Sequence, residues 1–175
     1  CFSRIFFFFF EKLGIEIVYD VAHNIAKREK YVIDGKQKEL LIHRKGSTRS
    51  FGPGRSELPE KYRDVGQPVI VGGSMQTGSY LLVGTERAMN ETFGSTMHGS
   101  GRTMSRRAAK KRFRGDQLIK DMKKDGIIVK AVSLSGLAEE AGFAYKNISE
   151  VVETMDALGI SKKVVKLIPI GNIKG

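Results

Sequence analysis

The sequence has few of the residues on which several common protein classes depend. Its only cysteine is Cys1, so an intrachain disulfide and an all-thiolate zinc site are both excluded, and an intracellular location is the default expectation. A Cys/His quartet typical of zinc fingers, a G-x-S-x-G nucleophile elbow and a Walker A sequence are all absent. No apolar run approaches the roughly 20 residues that span a bilayer.

Basic residues are in large excess over acidic ones. The formal net charge is +11 and the pI is about 9.8, which predicts a polyanionic partner, with nucleic acid favoured and free nucleotide also compatible. A length of 175 residues with 41% hydrophobic residues predicts one domain with a real core. Residues 1–13, which include the run Phe6 to Phe10, form a Phe-rich segment that we set apart from 14–175 and expect to be a truncated or normally covered start.

Short strands and short helices alternate along the chain. Asp34-Gly35 lies between two β-rich runs and predicts a hairpin, and a long loop is expected from 46 to 67. The fold class is therefore α+β, with mixed, mainly antiparallel strands and short helices. Strands are predicted at 16–21, 31–33, 40–42, 69–71, 80–83, 127–132 and 164–168, and helices at 85–92, 105–113, 116–124, 135–141 and 148–158.

Histidine is scarce, and one of the three is placed for chemistry. His98 precedes Gly99-Ser100-Gly101-Arg102, in which the glycines let backbone N–H groups approach a phosphate and the arginine can grip its oxygens. A reactive imidazole beside a bound phosphate suggests nucleotidyl transfer.

Other polar clusters allow two interpretations each. Asp20 and His23, with Asn24 adjacent, could hold a divalent metal, or His23 could be a hydrogen-bonded core histidine. The run 43–46 could grip phosphate or be a solvated strand end. The basic run 102–114, which follows His98 directly, could bind phosphate or RNA backbone or be a wet surface.

Five motifs taken together resemble one family. They are 18–27 (VYDVAHNIAK), 43–46 (HRKG), 51–54 (FGPG), 62–69 (YRDVGQPV) and 98–102 (HGSGR), and in this order they resemble the C-terminal half of the RtcB RNA-splicing ligases, from about Gly14 to Gly175. The resemblance implies an incomplete RtcB-like fold, because the Asp, Cys and further His ligands of the family's metal site lie in an N-terminal half that this chain does not resemble. Near these motifs three residues depart from those usual in the family: Met97 stands in place of Cys, Gly72 in place of Pro, and Gln76 in place of Gly.

The resemblance also implies a reaction and its participants. A cyclic 2′,3′-phosphate end of RNA is opened, the 3′-phosphate takes GMP from His98, and a 5′-hydroxyl displaces GMP, with Mn²⁺ and GTP as cofactors. The implied partners are RNA (tRNA exon halves or broken RNA), the N-terminal half of the same enzyme and an archease-type accessory protein, in the cytoplasm and without a membrane. The implied site residues are His98 as nucleophile, His23 as metal ligand, Asn24, Ser74, Ser79, Gly99, Gly101, Tyr145 and Lys174 for GTP, and Lys45, Arg102 and Arg106 for RNA phosphate. The alternatives are a non-catalytic basic RNA-binding fragment and a non-functional translated fragment.

Overall fold

The computed structural model of the chain describes residues 14 and 16–174, so the Phe-rich segment 1–13 lies outside the described residues. Nine strands and five helices are short and alternate along the described chain. The strands are β1 (Asn24–Ile33), β2 (Lys36–Lys45), β3 (Ser47–Arg49), β4 (Pro68–Gly72), β5 (Ser79–Gly84), β6 (Ser95–Met97), β7 (Ile128–Ala131), β8 (Ser161–Leu167) and β9 (Gly171–Lys174). The helices are α1 (Glu86–Glu91), α2 (Arg106–Arg112), α3 (Gly115–Lys124), α4 (Leu134–Glu139) and α5 (Ile148–Ala157), with 3₁₀ turns at Glu60–Tyr62 and Gly142–Ala144.

The predicted hairpin is present, and its strands are longer than the apolar runs 31–33 and 40–42 that predicted it. β1 and β2 pair antiparallel along their whole length around Asp34 and Gly35, whose φ angles of 53° and 72° are those of a tight hairpin turn. One face of the hairpin carries the buried side chains of Glu29, Tyr31 and Arg44, and the other face is exposed.

The predicted strands at 69–71 and 80–83 are β4 and β5, which form a three-stranded antiparallel sheet with β8 in the order β4-β5-β8, so that β5 is the central strand. Its inner face packs on α5 through Val69, Val71, Tyr80, Leu82, Ile148 and Val152. Burying side chains of this size, each worth about 1.5–3 kcal/mol, makes this cluster a principal core of the chain.

A second core lies under α3 and α4. Leu118 and Met122 of α3 pack with Leu137 of α4, with Met75 from the turn before β5, and with Ile127 before β7. β7 pairs in parallel with β9, which the sequence analysis did not predict. This pairing places β9, which holds the last described residues, beside β7.

Hydroxyl and amide side chains fix where four helices begin. Thr85, Ser105 and Ser133 each accept a hydrogen bond from the backbone N–H three residues later, at 3.1, 3.2 and 3.0 Å, and Asn147 caps α5 in the same manner through Ser149 N–H at 3.0 Å. Such caps contribute about 1 kcal/mol each. All five predicted helices are present, with ends shifted by a few residues.

Two parts of the strand prediction were wrong. Residues 16–22 form no strand and pair with no strand among the described residues, and the exposed Ile17 and Val18 show that alternation there does not mark a buried face. Conversely, β3 and β6 pair antiparallel although they consist largely of Ser, Thr and Arg. β3 lies inside the predicted loop 46–67, which is otherwise irregular apart from the turn at Glu60–Tyr62.

The fold class is confirmed in its broad form: mixed α and β, mainly antiparallel strands, short helices. No helix in the described part of the chain has the length and apolarity required to cross a membrane.

Candidate functional site

The β3–β6 ribbon brings His23 and His98 together. Ala22 C=O accepts a hydrogen bond from Thr48 Oγ1 at 2.9 Å, and His23 C=O accepts one from Gly46 N–H at 3.1 Å, so His23 is held at the start of β3. His98 follows β6, whose Met97 pairs with Ser47 of β3. The two imidazole rings therefore stack, with centroids 4.2 Å apart and planes inclined by 15°.

The stack favours the neutral form of the His98 imidazole. Burial lowers the pKa of the His98 imidazole, and the His23 ring beside it lowers that pKa further. At neutral pH His98 is therefore unprotonated, with a nitrogen lone pair free to attack phosphorus or to bind a metal ion.

The backbone around His98 is fixed by the end of β4. Gly72 N–H donates to His98 C=O at 3.0 Å, and Ser100 N–H donates to Gly72 C=O at 2.9 Å. Gly101, with φ of 73°, turns the chain so that its C=O accepts from Lys146 N–H at 3.0 Å. The loop 98–103 thus runs from the histidine stack to the segment around Tyr145.

Metal ligation is only partly provided by the described residues. They contain no group of three or more His, Asp, Glu or Cys side chains close enough to share a metal ion, so the structure does not bring Asp20 to both histidines. Two imidazoles suit Mn²⁺ or Zn²⁺ as partial ligands but do not close a coordination shell.

Asn24 and Lys45 meet at the open end of the hairpin. They are paired across β1 and β2, adjacent to His23 and Gly46, and both side chains are exposed. A shallow cavity of about 270 Å³ there is lined by 24–26 and 43–45. The structure therefore brings two predicted phosphate-side residues next to the predicted metal ligand.

Arg44 lies between His43 and Lys45 in the run 43–46, for which the sequence allowed a phosphate-binding role or a solvated strand end. Its role in the structure is a different one. Its guanidinium is buried and donates to both carboxylate oxygens of Glu29, at 2.7 and 2.8 Å, and to Ser95 Oγ at 2.8 Å. Tyr31 also donates to Glu29, at 2.7 Å. Arg44 is neither a phosphate grip nor part of a solvated strand end, because its donors are used inside the protein.

The glycine-rich turn between β4 and β5 holds itself together. Ser74 Oγ accepts from the backbone N–H groups of Gln76 and Thr77, both at 3.2 Å, and Thr77 Oγ1 accepts from Ser74 N–H at 2.9 Å. A Cβ on Gly73 would come within 2.4 Å of Gly78 C=O, which only glycine avoids. The Ser74 hydroxyl is thus oriented by the turn, whereas Ser79 lies half-buried at the start of β5.

The turn also contacts the Tyr145 side of the site. Gln76 Oε1 accepts from Gly142 N–H at 2.8 Å, and Asn172 Nδ2 donates to Met75 C=O at 3.1 Å. Gln76, a departure from the family pattern, therefore makes a specific contact.

Four predicted site residues converge on one carboxylate that the sequence analysis did not single out. Glu140 accepts from Tyr145 Oη at 2.5 Å and lies 3.4 Å from Arg102, 3.7 Å from Lys174 and 3.8 Å from Arg106. The Arg102 guanidinium also lies over the Tyr145 ring at 4.7 Å and donates to Tyr145 Oη at 2.8 Å. Burial raises the pKa of Tyr145, and the hydrogen bond to Glu140 raises it further.

Glu139, next to Glu140, pairs with the basic helix. Its carboxylate binds Lys110 and lies 3.6 Å from Arg106. Arg102, Arg106 and Lys110 of the basic run therefore lie on one side, which faces these two carboxylates. The signal that could have identified it is the pair Glu139-Glu140 in a chain with a large excess of basic residues.

A separate open cavity of about 790 Å³ lies between the hairpin and α1. Tyr31, Arg55 and Phe93 line it, and none of the predicted site residues does.

Comparison with known proteins agrees with the five motifs. The family described as tRNA-splicing ligase RtcB matches residues 1–175. The chain is 58% identical to the tRNA-splicing ligase RtcB of Archaeoglobus fulgidus, 53% to that of Pyrococcus abyssi and 52% to that of Pyrobaculum aerophilum, in each case over 94% of this chain. It spans 34% of the length of the first and third of these relatives and 18% of the second. The chain belongs to the RtcB family of tRNA-splicing ligases.

Proposed function

We propose that the chain carries the nucleophile and much of the nucleotide pocket of a GTP- and Mn²⁺-dependent RNA ligase, as the C-terminal portion of an RtcB catalytic fold. The observation that carries this proposal is the stacked pair of His98 and His23, joined by a glycine loop to the cluster of Arg102, Glu140, Tyr145 and Lys174. It combines an unprotonated imidazole with cationic and aromatic groups suited to a purine nucleotide.

In the first step, a nitrogen lone pair of His98 attacks the α-phosphorus of GTP. The N–P bond forms as the bond to pyrophosphate breaks, leaving a histidine–GMP intermediate. Tyr145, Lys174, Ser74 and Ser79 hold the guanine nucleotide in this proposal, and Asn24 with the N–H groups of Gly99 and Gly101 contacts its phosphates.

The RNA steps use the same centre. After water opens the cyclic phosphate, an oxygen of the RNA 3′-phosphate attacks the phosphorus of histidine–GMP and releases neutral His98. The RNA 5′-hydroxyl then attacks the 3′-phosphate, forms the 3′–5′ linkage and expels GMP. Arg102, Arg106 and Lys45 orient the RNA phosphates.

Mn²⁺, when bound, neutralises triphosphate charge. His23 would be one ligand, and in this proposal the remaining ligands come from the part of an RtcB protein that this chain does not span, since the described residues contain no group of three potential ligands. This activity belongs to a cytoplasmic enzyme whose partners are RNA and an archease-type accessory protein.

The test is covalent labelling with α-labelled GTP and Mn²⁺, with and without the complementary portion of the Archaeoglobus fulgidus relative. Label should appear only with the complement and be lost in His98→Ala. His43→Ala is the matched control, because His43 is the remaining histidine and lies on the exposed hairpin face. Label without the complement would contradict the incomplete metal site, and label in His98→Ala would contradict the nucleophile.

A second candidate, non-catalytic RNA binding, is favoured by the outer side of α2. Arg107 and Lys111 are exposed and make no ion pair with any described residue. This candidate expects salt-sensitive RNA binding that neither GTP nor His98→Ala changes. Loss of RNA binding in His98→Ala would exclude it.

A further inference from the structure

An exposed apolar band runs along the last two strands. It consists of Ile70 on β4, Val165 and Leu167 on β8, Ile168 and Ile170 in the following loop, and Ile173 on β9, with exposed fractions from 42% to 88%. Soluble proteins rarely leave a contiguous apolar surface of this kind uncovered.

The strand register makes the part of the band that lies on the β4-β5-β8 sheet continuous. Ile70 lies opposite Leu81, and Leu81 lies opposite Val165, so these three side chains share the outer face of the β4-β5-β8 sheet. Leu167 follows on the same face, opposite Ser79. Their neighbours Val71 and Tyr80 point to the inner face and are buried on α5.

The backbone under the band is ordered by hydrogen bonds, so the exposure is not that of a loose tail. Ile128 N–H donates to Ile170 C=O at 3.0 Å, and Val132 N–H donates to Lys174 C=O at 3.0 Å. Gly78 packs so closely on Leu167 C=O that an added Cβ would lie 2.1 Å away. The band is therefore a fixed platform of outward-facing side chains.

The band has an apolar centre with a charged residue beside it and unpaired strand edges. Lys162, opposite Val83, lies on the same outer face of β8, whereas Lys166 lies over the Tyr80 ring on the inner side. Strands β8 and β9 each pair with only one strand among the described residues. Apolar centres with polar edges are typical of obligate contacts, and unpaired strand edges are normally covered.

The partner that covers the band can be inferred from the length of this chain compared with that of its relatives. The chain spans 34% of the Archaeoglobus fulgidus relative, so about two thirds of an RtcB polypeptide lies outside it. We infer that the apolar band is the docking surface for that remaining portion of the RtcB polypeptide. Because Ile173 precedes Lys174, which pairs with Glu140, docking there also fixes one wall of the candidate site. The inference rests on family membership and is independent of the ligase activity.

The test is co-expression of the tagged chain with the complementary portion of the Archaeoglobus fulgidus relative. The wild-type chain should co-purify with it at 1:1, and Val165→Asp and Ile170→Asp should each reduce the recovered complex at least tenfold. Val32→Asp is the matched control, because Val32 is 72% exposed on the outer face of the hairpin, away from the band. Circular dichroism confirms that each variant is folded.

A second measurement does not depend on a disruptive variant. In a Cys1→Ser background, Ile170→Cys should react with maleimide in the chain alone and be protected at least tenfold in the complex, whereas Val32→Cys should react equally in both. Failure of the wild-type chain to bind the complement, equal effects at Val32 and the band, or a homodimer of this chain that protects Ile170→Cys without the complement would each overturn the inference.

Discussion

Two arginine–glutamate pairs on the same hairpin differ in burial. This difference determines how much each pair contributes to the stability of the fold. Arg44 and Glu29 are 1% and 6% exposed, whereas Arg28 and Glu39 are 80% and 49% exposed. Burying two charges is compensated only while both partners and their hydrogen bonds remain. The exposed pair gains little, because water screens it.

We therefore predict that Arg44→Met lowers the free energy of unfolding by about 3–5 kcal/mol, because it leaves the Glu29 carboxylate buried without its bidentate partner. Arg28→Met should cost less than about 1 kcal/mol. Urea unfolding followed by circular dichroism measures both. Similar losses for the two variants would mean that the buried pair is not the anchor of the hairpin.

Low pH should weaken the buried Arg44–Glu29 pair. Burial by itself would raise the pKa of Glu29, but hydrogen bonds from Arg44 and Tyr31 outweigh it and hold the pKa below its usual 4.5. Stability from ionised Glu29 is thus complete above pH 4.5 and is lost as the pH falls through the lowered pKa. Urea midpoints measured from pH 7 to pH 3 should fall less steeply in Glu29→Gln than in the wild-type chain.

Glu140 is the residue whose role the structure adds to the candidate site. Glu140→Gln keeps an acceptor for Tyr145 Oη but removes the negative charge that raises the phenol pKa. The pKa of Tyr145 should therefore fall in Glu140→Gln and remain unchanged in Glu139→Gln. Ultraviolet titration of phenolate, with Tyr145→Phe to assign the signal, measures this, and an unchanged titration in Glu140→Gln would remove Glu140 from the centre of the cluster.

At the scale of elements, two backbone hydrogen bonds attach the His98 loop to β4, and Gly72 donates one of them. Gly72 N–H binds His98 C=O, and a Cβ at residue 72 meets nothing closer than that oxygen, at 4.0 Å. The family pattern favours proline at this position, and proline has no N–H to donate. This chain thus has a contact with His98 that proline would remove.

Gly72→Pro should lower the free energy of unfolding by about 0.5–1.5 kcal/mol, the contribution of one hydrogen bond, because proline has no N–H to donate to His98 C=O. Local opening of the loop should increase, seen as faster hydrogen exchange of the Ser100 amide. Gly72→Ala, which keeps the N–H and has room for its methyl group, should exchange like the wild-type chain. Equal exchange in the proline variant would show that the loop is held by other contacts.

An element can be predicted from the sequence when the residues that determine it are close together along the chain. The hairpin could be predicted because Asp34-Gly35 fixes its own turn, and the helices because their periodicity and caps are close in sequence. The β3–β6 ribbon and β9 could not, since their partners lie about 50 and 40 residues away and their sequences lack alternation. For the same reason the His23–His98 stack and the Glu140 cluster emerge only in three dimensions.

At the scale of the whole molecule, the +11 charge is unevenly available to a polyanion. Glu139 and Glu140 engage Arg102, Arg106, Lys110 and Lys174, while Arg107 and Lys111 point outward from α2 without such partners among the described residues. Charges already paired release fewer counterions when RNA binds, so net charge overstates the binding surface.

If RNA lies along α2, Arg107→Ala should make the dependence of log Kd on log salt shallower by roughly 0.7, the value for one phosphate contact on a single strand. Lys110→Ala, one helical turn away but paired with Glu139, should change the slope less. Fluorescence anisotropy with a labelled single-stranded RNA, titrated at several salt concentrations, separates the two variants. A larger change for Lys110→Ala would mean that RNA displaces Glu139 and binds the inner side of the helix, beside Arg106 and the loop that carries His98.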